Sequence, residues 1–230
     1  MLRTLFWDAD TQVDFMAPSG ALYVPGAETI VPNLERLTLH ARHMGVGRAG
    51  SVAHHEPGDE GEPGPDGSGP YPPHCVAGTP GAAKIPATAP LNPLWVPSNP
   101  IPCPALAAEV RDHDGEVFLL KQRFDVFSNP NACTVLRALD PDRIVVYGVA
   151  LDVSGRHAVE GFLRLGGAEI WLVEDAASLF LTRRDGGNPP GVSVAPVFEG
   201  TRALLVEIQS LTVPAKSGAV LTNMPLTGSV

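Results

Sequence analysis

Four places in the chain carry side chains able to do chemistry, and each lies just downstream of a short apolar run. Asp8, Asp10 and Asp14 follow the first run, Ala53, His54 and His55 the second, Lys121 the third, and the segment Gly148 to Ser154 the fourth. A carboxylate can take up and return a proton, and an imidazole can do the same or hold a metal. An ammonium steadies negative charge, and a hydroxyl at the head of a helix can act as a nucleophile. Together these groups make an active-site inventory. Singly, each has a plainer reading. Asp10 is a turn or cap residue, Asp14 a structural carboxylate bonded to loop backbone, Lys121 a solvated charge, and Ser154 the N-cap of the helix that follows. His54 fits either reading, and His157 reads as a surface or packing histidine.

An alternation of strand-like and helix-period segments would bring these places together. Thr4 to Asp8 and Val46 to Ala53 read as strands around a helix from Ala27 to Met44. In that helix Ile30, Leu34, Leu37, Ala41 and Met44 recur at helical spacing, with Gly45 as the stop. Val117 to Leu120, Arg143 to Gly148 and Ala168 to Val173 continue the strands, while Asn131 to Leu139 and Gly155 to Leu165 continue the helices. Thr201 to Leu211 reads as a last helix and Gly218 to Thr222 as a last strand. Apolar strands separated by helices predict a three-layer α/β/α sandwich, with a parallel sheet of about six strands covered on both faces. Ligands bind such a sheet beyond the carboxyl ends of its strands, where the four places lie. No GxG-type sequence sits between a strand and a helix, so a dinucleotide fingerprint is absent.

The 230 residues suit one domain, 1–230, with a Pro/Gly-rich insertion at about 56–104; the chain has 24 prolines, and more than half lie between Pro57 and Pro104. A content of 44% hydrophobic residues is enough to bury a core. The formal charge of −9 argues against nucleic acid and anionic membrane surfaces. No apolar run approaches the roughly 18 residues that span a bilayer, and Asp8 comes too early for a signal peptide. The expectation is a cytoplasmic protein with no nucleic-acid or membrane partner. Cys75, Cys103 and Cys133 are too few and too scattered for a disulfide framework or a metal knuckle.

Several segments resemble those of the isochorismatase-like cysteine hydrolases, and within them the nicotinamidases. Asp10-Thr11-Gln12-Val13-Asp14-Phe15 is similar to the family's D-x-Q-x-D-F opening, and Gly20-Ala21-Leu22 with Val24-Pro25-Gly26-Ala27 to the lead into its first helix. Pro72-Pro73-His74-Cys75, continuing to Gly78-Thr79-Pro80-Gly81, resembles its most distinctive loop. Lys121 stands where the family carries a catalytic lysine, followed by Phe124-Asp125-Val126-Phe127-Ser128-Asn129, and Gly148 to Val153 resembles the elbow G-V-A-T-D-V. The match runs in order over roughly the first 175 residues. It implies hydrolysis of a small amide by an Asp, a Lys and a nucleophile, here Asp10, Lys121 and Ser154. It also implies an oxyanion site at the elbow of Val149, Ala150 and Ser154, with a cis peptide at Val149–Ala150, and pocket walls from Phe15, Tyr71 and Trp95. A small-molecule substrate or ligand and a homo-oligomer are the implied partners.

The sequence departs from the family at two sub-sites. Ser154 replaces the family's cysteine, with Gly155 after it in place of the usual valine. A serine hydroxyl is far less acidic than a thiol, so Ser154 needs Asp10 as a true general base. At the metal site of the nicotinamidases Ala53 replaces an aspartate, leaving His55, His74 and, in the middle position, Glu60 as a weak site for Zn²⁺ or another divalent ion. Departures at separate sub-sites favour natural divergence over a single engineered change. Cys75, beside His74, is a conceivable substitute nucleophile. The competing reading is a catalytically inactive homologue that binds a small molecule or serves a structural or partner role.

Overall fold

The computed structural model describes residues 2–58 and 71–180, together with two short strands, β7 (Phe198–Glu199) and β8 (Arg202–Ala203). The main sheet has six strands: β1 (Thr4–Ala9), β2 (Gly47–Ala53), β3 (Pro93–Val96), β4 (Glu116–Lys121), β5 (Arg143–Gly148) and β6 (Glu169–Ala177). They run in the order β3-β4-β2-β1-β5-β6, and every pairing is parallel. The chain builds outward from β1 on one side with β2, β3 and β4 and on the other with β5 and β6. The order therefore reverses at β1 and β5, and a crevice opens beyond their carboxyl ends.

The alternation of side chains across β1 assigns the two faces of the sheet. Leu5, Trp7 and Ala9 pack with α3 (Cys103–Asp112), α4 (Ala132–Leu139) and α5 (Arg156–Leu165), through Leu106, Val110, Val135, Leu136, Ala158 and Phe162. On the opposite face Phe6 packs with α2 (Val31–Met44) through Leu34, Leu37 and Ala41, and with Val145 and Tyr147 of β5. The three-layer α/β/α sandwich with a six-stranded parallel sheet is thus as expected. α5 packs closely on the 3-10 turn Val126–Ser128 that follows β4 because Gly161 has no side chain: a Cβ there would lie 2.0 Å from the Phe127 ring.

Some boundaries differ from the expectation. The Ala27 to Met44 segment begins as a 3-10 turn over Ala27–Ile30 before α2. The Pro-rich insertion is not all loop, since its end contributes β3 and the start of α3. β3 is an edge strand with Pro93 at its first position, a place where the missing N–H costs no ladder bond. The sixth strand of the described sheet is β3; the expected strand Gly218 to Thr222 lies outside the described residues. The expected helix from Thr201 to Leu211 is contradicted at Arg202–Ala203, which pairs antiparallel with Phe198–Glu199; the remainder lies outside the described residues.

Candidate active site

Asp10 follows β1 in the left-handed region, at φ 47°, a conformation rare for a residue with a side chain. Its backbone N–H is bonded to Ser51 O at 3.2 Å, and the Ser51 hydroxyl donates to Asp10 Oδ1 at 2.7 Å. Lys121, the last residue of β4, pairs in register with Ala53. Asn129 fixes that strand end by donating to Leu120 O at 2.8 Å and Pro97 O at 3.1 Å. Lys121 Nζ lies 2.9 Å from Asp10 Oδ2 and donates to Ser154 Oγ at 3.3 Å and to Arg123 O at 3.1 Å. Asp10 Oδ2 accepts no well-aligned hydrogen bond among the described residues, so one of its lone pairs is available for a proton. Asp10, Lys121 and Ser154 are all buried, and all three line one cleft that opens to solvent.

Burial alone would raise the affinity of Asp10 for a proton. The Lys121 ammonium, the Ser51 hydrogen bond and the more distant Lys84 outweigh it, and the carboxyl sits below its ordinary value. Asp10 is thus ionised at neutral pH and can act as a base. Cys75 goes the other way. Burial, with the negative charges of Asp14 and Asp10, pushes its thiol well above the normal range, which favours the protonated thiol over the reactive thiolate. Asp14 is structural, as expected: its carboxylate accepts from Ala21 N at 3.1 Å and Cys75 N at 2.7 Å. That loop comes so close that a Cβ on Gly81 would lie 2.3 Å from the Asp14 carboxylate.

Ser154 lies in a π-helical turn, Leu151–Gly155, ahead of α5, and its hydroxyl is engaged by Lys121. The N-cap position of α5 is Gly155, so the capping reading of Ser154 does not hold. The Val149–Ala150 peptide is cis. Val149 is fully buried and its N–H is bonded to Ala9 O at 2.9 Å, while the Leu151, Val153 and Gly155 N–H groups are bonded to Ser178 O, Ala150 O and Ala150 O. Val149 is thereby removed from the expected oxyanion set. Ala150 and Ser154 are the elbow residues of that set that line the cleft.

Phe15 and Tyr71 line the cleft, together with Phe124, Phe180, Leu22 and Val24. Tyr71 packs edge-on against Phe124 and Phe180, with centroids at 5.9 and 5.5 Å. Trp95 does not belong to it. It stands on edge strand β3, separated from β1 by β4 and β2, 42% exposed and packed on Phe118 at 5.6 Å. Phe124, named in the motif after Lys121, and Phe180 were not expected as pocket walls. The signal for Phe124 is its place three residues after Lys121, whereas Phe180 is held by a bond from its N–H to Asp152 Oδ1 that no local pattern announces. Gln12 was also missed: its amide bonds both Ala53 N and Ala53 O at 2.8 Å, tying the Asp10 turn to the end of β2.

His55 and His74 line another part of the cleft, their ring centroids 4.7 Å apart. His74 Nδ1 contacts Pro72 O at 2.8 Å, and since a carbonyl only accepts, that nitrogen carries hydrogen. Burial, helped by Lys121 and opposed by the Pro72 bond, lowers the proton affinity of His74 and favours the neutral ring. Ala53 contributes a methyl group where a carboxylate would be needed, and Glu60 lies outside the described residues. No group of three or more His, Cys, Asp or Glu among the described residues could hold a metal ion. They therefore do not fit the four-ligand zinc site that the family resemblance implies. His54 points elsewhere, toward Glu56 at 3.5 Å.

Residues 94–183 match the isochorismatase domain family. The fold is similar to a nicotinamidase/pyrazinamidase of Bacillus subtilis, with a TM-score of 0.60 and 20% identity over 80% of this chain and 90% of that one. The fold is isochorismatase-like. An isochorismatase family protein from Desulfovibrio vulgaris aligns with a TM-score of 0.58 and 25% identity over 79% of this chain and 84% of that one. A pyrazinamidase of Pyrococcus horikoshii in complex with zinc gives 0.57 and 22% over 80% and 90%. A separate likeness is to the DNA repair protein RadA of Treponema pallidum, 46% identical over 57 residues, which are 25% of this chain and 12% of that protein. The isochorismatase-like fold spans the elements that bring Asp10, Lys121 and Ser154 together. No helix among the described residues is long and apolar enough to cross a membrane.

Proposed function

We propose that the protein is a hydrolase that cleaves a C–N bond of a small amide through Asp10, Lys121 and Ser154. The observation that carries this reading is one ammonium shared between a base and a nucleophile, with Lys121 Nζ 2.9 Å from Asp10 Oδ2 and 3.3 Å from Ser154 Oγ. A serine hydroxyl must lose its proton as it attacks, and the nearby carboxylate with a free lone pair receives it. Ser154 Oγ bonds to the carbonyl carbon while Lys121 steadies the charge developing on both oxygens. The backbone N–H groups of Ala150 and Ser154, the two residues of the elbow set that line the cleft, stabilise the tetrahedral oxyanion. Asp10 then returns the proton to the departing amine, leaving an ester on Ser154 that water hydrolyses with Asp10 again as base. No step passes through a metal.

The aromatic walls suit a small planar amide. The test is ammonia release from nicotinamide and a panel of aliphatic and aromatic amides, by the native protein beside Asp10→Ala and Ser154→Cys. Turnover that disappears in Asp10→Ala supports the serine mechanism. Turnover by Ser154→Cys alone means an intact pocket with a lost nucleophile, and silence from all variants leaves the non-catalytic binding reading.

A further inference from the structure

Behind Asp10 lies a second cluster of buried charge that the reaction above does not use. Lys84 Nζ is 2.8 Å from Asp8 Oδ1 and donates to Thr11 Oγ1 at 3.3 Å, while that hydroxyl donates to the same Asp8 oxygen at 2.7 Å. Thr88 Oγ1, 2.6 Å away, supplies Thr11 with its second incoming bond, so the hydroxyl is fully satisfied. The other Asp8 oxygen is taken by Arg48 at 3.0 Å, and Arg48 in turn reaches Glu116 at 2.6 Å and the Tyr147 hydroxyl at 3.3 Å. The Lys84 ammonium rests over the Phe118 ring, 4.8 Å from its centroid. Lys84 is brought there by a short antiparallel bridge to Gln12, with Val13 N bonded to Ala83 O at 2.9 Å and Ile85 N to Thr11 O at 3.0 Å.

Asp8 and Thr11 bracket Asp10, whose positive φ persists only where the surrounding structure over-determines it. We propose that Lys84 is a positioning residue for Asp10: by joining Asp8 to Thr11 it clamps the left-handed turn between them and fixes the carboxylate against Lys121. The clamp matters for catalysis only if Asp10 is the base, so this part rests on the proposed function. Electrostatics works in the same direction. Asp10 faces Lys121 from β4, the Ser51 hydroxyl from β2 and, farther off, Lys84; Lys84 faces Asp8, Asp10 and Arg48. Burial pulls the Lys84 ammonium toward neutrality, and Asp8 holds its proton on.

Lys84→Met keeps the apolar stem and leaves Asp8 paired with Arg48, so the chain is expected to fold. The experiment labels the full chain with carboxyl-¹³C aspartate, assigns Asp10 by Asp10→Asn, and follows its titration by NMR. In Lys84→Met the Asp10 midpoint is expected to move up. For any amide that is hydrolysed, kcat should drop about tenfold with KM within about twofold, as for a displaced catalytic group. Thr11→Val should act in the same direction to a smaller extent, and Thr11→Ser should restore both readouts. An unchanged Asp10 titration and kcat in a folded Lys84→Met, with only a lower Tm, would overturn the proposal and make Lys84 a mere counter-charge for Asp8. If the native chain hydrolyses no amide, the proposed function fails, while the Asp10 titration in Thr11→Val, which keeps the Lys84 charge and breaks only the bridge, still decides whether the clamp exists.

Discussion

Two parts of the cleft lining differ in how completely they are wired. Asp10, Lys121 and Ser154 are joined by contacts of 2.9 and 3.3 Å, and Asp10 is anchored behind by Ser51. His55 and His74 stack edge-on at 4.7 Å, with the methyl of Ala53 in the lining where a third ligand would be needed. The first arrangement is a connected set of donors and acceptors in which each charge has a partner. The second has two imidazoles, which by themselves hold a divalent ion weakly. In the proposed mechanism the Asp10–Lys121–Ser154 set acts without help from the histidine pair, so the two halves of the lining can be tested separately.

The sharpest way to break that comparison is to remove the reacting groups. Asp10→Ala or Ser154→Ala should each lower kcat/KM for a hydrolysed amide by at least about 10³-fold, because groups that act as a unit fail together. Steady-state kinetics on both variants checks this, and turnover surviving in Ser154→Ala would move the chemistry elsewhere. The next largest effect is on stability. Arg48→Met removes the cation shared by Asp8 and Glu116, leaving Asp8 with Lys84 alone and Glu116 with Arg42 alone, and should destabilise the protein by about 3 kcal/mol, read from denaturant unfolding.

Zinc sharpens the other half of the comparison. Zn²⁺ should leave the melting temperature of the native chain nearly unchanged, whereas Ala53→Asp, which adds a carboxylate to a lining that has His55 and His74, should gain a zinc-dependent rise measurable by calorimetry. A rise of equal size in both proteins would show that the histidine side already holds metal. The smallest effect concerns pH. Because the Asp10 carboxyl is held below its ordinary value, its contribution to stability is present above the unfolded pKa and is lost as pH falls through the folded one. The acid limb of kcat/KM should accordingly lie below the usual carboxylate range, and a limb above it would contradict the ionised base.

Much of the fold was legible because the strands are short apolar runs bounded by polar or glycine residues. Arg143–Gly148 was expected and found with the same limits. β3 was hidden, since a four-residue edge strand opening on proline carries little periodic signal. In the site, Asp10, Lys121 and Ser154 could be named because each ends or follows a strand in a recognisable motif. Trp95 was misplaced because the topology carried its loop to the far edge of the sheet. Ser51, Gln12 and Lys84 act only through contacts to residues far along the chain, 41, 41 and 76 positions away, and nothing in their local sequence points to those partners.

The most direct test of the account is whether Ser154 becomes acylated. The native protein and Ser154→Ala would be mixed with a 4-nitrophenyl ester of a small aromatic acid, and nitrophenolate release and intact mass followed together. The account predicts a burst of about one equivalent with the acyl mass located on Ser154 in the native chain and neither in the variant. Equal acylation of the variant, or acyl mass on Cys75 in place of Ser154, would contradict it.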